Sequence, residues 1–86
     1  MKIEFTSKFK KRFDKLPRKL QDKFEKRLGL FIKNPSSPIL KAHPLKGIMI
    51  GYRAFSITGD CRAIYRIIDR ETIKLIDIGR HSQVYK

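Results

Sequence analysis

Residues Tyr52–Ile78 read YRAFSITGDCRAIYRIIDRETIKLIDI, and this stretch decides the fold. Its β-branched and aromatic runs are separated by Gly59-Asp60 and by Arg70-Glu71, both suited to tight turns. The spacing predicts an antiparallel three-stranded meander over Tyr52–Thr58, Cys61–Asp69 and Thr72–Ile78, with Gly79 ending the last strand. Side chains alternate along a strand, so Arg62, Ile64, Arg66 and Ile68 share one side while Ala63, Tyr65 and Ile67 share the other. Two arginines cannot sit against an apolar core without partners, which assigns the Arg62/Arg66 side to an open face. A three-residue loop at Gly59 brings Tyr52 and Ser56 to that face; a two-residue loop reverses them.

Toward the amino terminus the period changes. Phe9, Phe13, Leu16, Leu20, Phe24, Leu28 and Phe31 recur at steps of three and four, one apolar stripe on a helical surface otherwise filled by Lys and Arg. Pro17 interrupts it, and proline fits the first position of a helix but not its interior. The stripe therefore reads as two helices, Ser7–Leu16 and Pro17–Lys33, folded into a hairpin and begun by the oxygen of Thr6 or Ser7. Before them, Lys2-Ile3-Glu4-Phe5 alternates as a short strand with Ile3 and Phe5 inward. After them, Asn34-Pro35 stops the helix and the chain is irregular as far as Gly51. The result is an α+β fold in a single domain, residues 1–86: an N-terminal strand, a two-helix hairpin, then the meander, with one sheet and the helices on one face.

Charge narrows the partners. Twenty-one Lys and Arg against eight Asp and Glu give a formal +13, and the pI is near 10.3. Such a chain repels itself unless a polyanion offsets it, with nucleic acid first, an acidic protein second and a membrane surface third. The first residues lack the apolar core of a signal peptide and no run reaches membrane-spanning length, so a cytoplasmic protein without a membrane partner is expected. Two histidines, one cysteine and scattered acids form no zinc spacing, and no glycine-rich phosphate loop is present, so no metal or cofactor is expected.

Cleavage of RNA without a metal requires a base for the ribose 2′-OH, an acid for the leaving 5′-oxygen and cations for the phosphorane. The open face offers Arg62, with Arg80 and His81 beyond a strand end and His43 and Lys46 in the preceding loop. Histidine, titrating ordinarily near ~6.5, can accept or donate at neutral pH. Cys61 at a strand start reads as a small apolar filler.

The segments HPLKG (His43–Gly47), GYR (Gly51–Arg53), GDCRAIYRI (Gly59–Ile67) and DIGRHSQVY (Asp77–Tyr85), with Leu16-Pro17 between the helices, together resemble the RelE-type toxins of bacterial and archaeal toxin–antitoxin modules. The resemblance is closest to the YafQ-like branch and covers essentially the whole chain. It implies a RelE-like fold and a ribosome-dependent endoribonuclease that cuts messenger RNA in the A site by 2′-OH attack, with ribosomal RNA and a cognate acidic antitoxin as partners. His43 and His81 match the branch's catalytic histidines, Asp60 its turn aspartate, Arg62 its phosphate-binding arginine and Tyr85 its carboxy-terminal tyrosine. Lys46, Arg66 and Arg80 fall to contacts with the RNA backbone. Ser56 stands where the branch has a further histidine, so Arg62 and Tyr85 compensate or activity is reduced. ParE-like gyrase poisons share the fold and cut no RNA, which leaves a gyrase inhibitor, or a basic RNA-binding module without catalysis, as alternatives.

Overall fold

The computed structural model describes residues 1–84, so Tyr85 lies outside the described residues. Strand β1 (Lys2–Phe5) passes into helix α1 (Ser7–Asp14) at Thr6. Thr6 Oγ1 accepts the Phe9 N–H at 3.0 Å, satisfying one of the donors that a helix leaves unpaired at its start. The same hydroxyl donates to the Ile76 carbonyl at 2.8 Å, fixing the helix start against the sheet. Thr6→Ala removes both bonds and is expected to cost about 1–2 kcal/mol, seen as a lower urea midpoint at unchanged slope.

Helix α2 spans Arg18–Lys33, and Pro17 is its N-cap rather than its first helical residue. The Pro17 carbonyl accepts from Leu20 and Gln21 N–H at 2.9 and 3.1 Å. Gln21 Nε2 in turn donates to the carbonyls of Phe13 and Leu16, at 2.9 and 3.2 Å, tying the second helix to the connection after the first; the Phe13 carbonyl also accepts the Leu16 N–H at 3.0 Å. The hairpin expected from Pro17 forms, with α1 two residues shorter than its periodicity suggests.

The stripe packs as expected. Phe9, Phe24 and Phe31 are buried against Phe55, Ala63, Tyr65, Leu75 and Ile78 of the sheet, while Phe13, Leu16, Leu20 and Leu28 close the margins. Phe31 lies 4.9 Å from Phe55 and 5.0 Å from Tyr65, centroid to centroid. The Tyr65 hydroxyl accepts Arg53 Nε–H at 3.1 Å, so its polar end is satisfied while its ring is buried. Phe5 is 39 % exposed and leans on Phe9 at 5.4 Å, which places it at the rim of the core rather than inside it.

The sheet has five strands in the order β1-β5-β4-β3-β2, with β2 at His43–Pro44, β3 at Arg53–Ser56, β4 at Cys61–Asp69 and β5 at Thr72–Arg80. The meander is its centre. β1 adds to it in parallel along β5, from Lys2 opposite Thr72 to Phe5 opposite Leu75, and β2 adds antiparallel to β3. Gly79 does not end β5, which continues to Arg80. No helix among the described residues is long and apolar enough to cross a membrane.

One slip of register matters for everything beyond it. Leu75 lies opposite Tyr65 but Asp77 opposite Ile64, so Ile76 is an extra residue, a β-bulge. The bulge reverses the parity of β5. Leu75 and Ile78 both enter the helix-side core, and Gly79 comes to lie opposite Arg62. Asp77, 5 % exposed, is held from α1 by Lys8 Nζ at 3.4 Å and Arg12 Nε at 3.3 Å, and accepts the Ile78 N–H at 2.9 Å.

Candidate functional site

Ser56 pairs with Arg62, and Ile57 N–H donates to the Cys61 carbonyl at 2.9 Å, leaving Thr58, Gly59 and Asp60 as a three-residue loop. Ser56, Arg62 and Gly79 therefore form one row across the face that looks away from the helices. That face is less open than parity alone suggests. A four-residue helix α3 (His81–Val84) returns over it, and Val84 buries against Ala54 and Ile64, flanked by Leu45, Met49, Tyr52 and Ile76. Leaving those apolar groups in water would be unfavourable, so the chain covers them and the polar candidates are displaced to the rim.

Arg62 Nη1 donates to the Thr58 carbonyl at 2.8 Å and the Cys61 carbonyl at 3.2 Å, which draws the guanidinium over the loop. No carboxylate pairs with it among the described residues. Asp77 is occupied by Lys8 and Arg12, and Asp60 lies 4.0 Å from Arg80 Nε. Its positive charge is oriented by neutral carbonyls and is not cancelled by an acid. A guanidinium in that condition has planar N–H groups to offer an oxyanion.

The loop is joined to the end of β5. The Asp60 carbonyl accepts the His81 N–H at 2.9 Å, beside the Asp60–Arg80 contact. Thr58 Oγ1 shapes the turn from within, accepting Asp60 N–H at 3.3 Å and Cys61 N–H at 3.0 Å. Asp60, Arg62, Arg80 and His81, from two parts of the sequence, thus gather at one end of the β4–β5 pair. Cys61 is buried beneath them, and burial pushes its thiol above the ordinary value, with Arg62 opposing. That is a packing cysteine rather than a nucleophile.

His43 is on the same face but not in the same cluster. It pairs with Ala54, one row and two strands from Arg62, a Cα separation of roughly 12 Å at ordinary strand spacing and rise. The two reach one ligand only if it spans the intervening row. His43 Nδ1 lies 2.9 Å from the Lys41 carbonyl. A carbonyl only accepts, so Nδ1 carries the proton and the lone pair of the neutral ring is on Nε2. Lys41 holds a left-handed conformation, φ 49°, at the end of the 3₁₀ turn Pro38–Leu40. That conformation costs a non-glycine residue about 1–2 kcal/mol, and here it accompanies the bond that sets the tautomer.

Lys46 is exposed at the start of the β2–β3 loop, near His43 in the chain. Arg66 shares a face with Arg62 but lies two rows away, roughly 13 Å, with its guanidinium 6.0 Å above the Tyr52 ring. The structure does not bring these two arginines together. The carbonyls of Thr58, Cys61 and Lys41 were invisible to sequence reasoning, because every residue has a carbonyl and only the fold selects which one faces a side chain.

A model of the ParE toxins of type II toxin–antitoxin systems, parDE, matches residues 3–85. Among solved structures, YafQ from E. coli strain BL21(DE3) is 23% identical over 98% of this chain and 97% of that chain, with a TM-score of 0.83. The YoeB/ParE toxin from Agrobacterium tumefaciens is 24% identical over 94% of this chain and 99% of that chain, with a TM-score of 0.79. The E. coli DinJ–YafQ complex matches at 26% identity over 98% and 97%, with a TM-score of 0.77. The RelE-like, YafQ-like fold expected from the motifs is correct. No curated protein matches the chain.

Proposed function

Since the chain belongs to the ParE toxin family of type II toxin–antitoxin systems, we propose that it stops translation by cutting messenger RNA in the ribosomal A site. One observation carries the reading. Arg62, without a carboxylate partner among the described residues, stands at the strand end where Asp60, Arg80 and His81 meet. A scissile phosphodiester seated on Arg62 has its charge offset as the phosphorane forms, with Arg80 adding to the field. His43 Nε2 takes the 2′-OH proton, the 2′-oxygen attacks phosphorus, and His81 in its protonated form delivers a proton to the departing 5′-oxygen. The products are a 2′,3′-cyclic phosphate and a 5′-OH. Asp60 is a positioning residue, because it touches Arg80 and the His81 backbone. Lys46 and Arg66 hold the strand further along, and Tyr85 stacks on a base or polarises a hydroxyl.

The exposed lysines of the helical hairpin and its connection, among them Lys10, Lys11, Lys15 and Lys19, suit ribosomal RNA. The partner that restrains the toxin is an acidic antitoxin encoded with it; a protein of this fold, YafQ of E. coli, is seen in a DinJ–YafQ toxin–antitoxin complex. Action on ribosomes makes the cytoplasm the place of work.

The test is to map 5′-OH ends on messages in a translating extract. New ends at A-site codons are expected, and a message left intact at toxic concentrations would end this reading. A second reading is favoured by the match to ParE toxins: the chain acts as a ParE-like poison of DNA gyrase. Inhibition of supercoiling without new RNA ends identifies it.

A further inference from the structure

The loop joining β2 to β3 carries the two most exposed large hydrophobic side chains among the described residues, Ile48 at 87% and Ile50 at 77%. It is a built loop. Leu45 N–H donates to the Tyr52 carbonyl at 2.9 Å, closing its base. Within it, Met49 and Ile50 N–H donate to the carbonyls of Lys46 and Gly47, at 3.2 and 3.1 Å, around a 3₁₀ turn at Gly47–Met49. Met49 packs down on the cluster of Ala54, Ile64 and Val84. Gly47 opens the turn and Gly51 follows it, at φ +66° and +93°, backbone that a side chain would strain although space for one exists. With Met49 as the anchor, the two isoleucines are held in water, where an apolar group gains nothing unless something covers it.

The loop's neighbours say what covers it. His43 opens the strand that leads into the loop and Lys46 is the loop's own cation, so an imidazole and an ammonium precede the apolar tip along the chain. A ligand with anionic and flat apolar parts in alternation matches that order, and unpaired RNA is such a ligand. In stacked helical RNA, moreover, the 2′-oxygen is not in line with the 5′-oxygen that must leave. Branched apolar side chains inserted at a base step unstack it.

We propose that Ile48 and Ile50 form an apolar wedge that unstacks a base of the codon being cut and so brings the 2′-oxygen into line. The assignment rests on the nuclease reading and gives that site a part its acid–base groups do not supply. Ile48 and Ile50 meet the bases, Lys46 the adjacent phosphate, and His43 the hydroxyl.

The experiment uses the full chain and ribosomes programmed with a short message whose A-site codon carries 2′-O-methyl riboses, which block attack, and one 2-aminopurine, which brightens when unstacked. Wild type is expected to brighten the probe. The double variant Ile48→Ser with Ile50→Ser should bind ribosomes without brightening it, and should cut an unmodified message roughly tenfold or more slowly, with its urea midpoint unchanged because both side chains are exposed. Lys46→Ala should weaken binding most at low salt, with a shallower salt dependence than wild type, yet keep the brightening. A double variant that brightens the probe and cuts like wild type overturns the wedge alone. So does a variant that loses affinity for the antitoxin while cutting normally, which would make the tip a protein contact. A wild type that cuts no unmodified message overturns the nuclease reading and the wedge with it.

Discussion

Arg62→Ala is expected to lower the rate of message cleavage by about 10²–10³, the effect of removing one preorganised group that stabilises a developing anion. Binding to ribosomes should fall far less, because Arg62 is one cation in a chain of net charge +13. The loss should sit in kcat, since the charge on phosphorus grows only as the phosphorane forms. Stability should drop by no more than about 1–2 kcal/mol, for the two carbonyl bonds to Thr58 and Cys61. Arg62→Lys is the informative companion. Lysine keeps the charge but lacks the planar fork, so it should recover only part of the rate. Single-turnover cleavage of a programmed message measures all three proteins, and an alanine variant as fast as wild type removes Arg62 from the mechanism.

Phe55→Ala is expected to destabilise the fold by about 3–5 kcal/mol. Phe55 is fully buried, 4.9 Å from Phe31, 5.8 Å from Tyr65 and 6.4 Å from Phe24, so its removal empties the point where both strands and the second helix meet. A chain of this length has a net stability of roughly 4–13 kcal/mol, so the substitution removes about a quarter of it or more at 25 °C. Phe55→Leu fills most of the space and should cost markedly less. Urea titration followed by far-ultraviolet circular dichroism checks both. If the alanine variant lost less than about 1 kcal/mol, helix and sheet would not pack through this ring as described.

Part of the site is legible in the sequence. Arg62 cannot enter an apolar core without a partner, so strand parity is enough to place it on the face away from the helices; Ser56 joins it only because the loop at Gly59 has three residues. Histidines and a turn aspartate could be named from their motifs, but not their distances. His43 and Arg62 share a face and still stand two strands apart, and Arg66 shares Arg62's parity without sharing its surroundings. The open face itself was overestimated, because nothing local to residues 81–84 signals that Val84 will fold back on Ile64.

By itself the sequence determined the hairpin of helices, since a stripe at steps of three and four broken by Pro17 has few other ways to bury itself, and it determined the meander from alternation and turn residues. Only the tertiary structure decided that β1 lies parallel beside β5, that Ile76 bulges, and that the carbonyls of Thr58, Cys61 and Lys41 hold Arg62 and His43. The physical reason is range. A periodic apolar face is written into neighbouring residues, whereas a one-residue slip between strands and the aim of a carbonyl depend on which distant segments pair, and their energies favour one choice only after the layers have met.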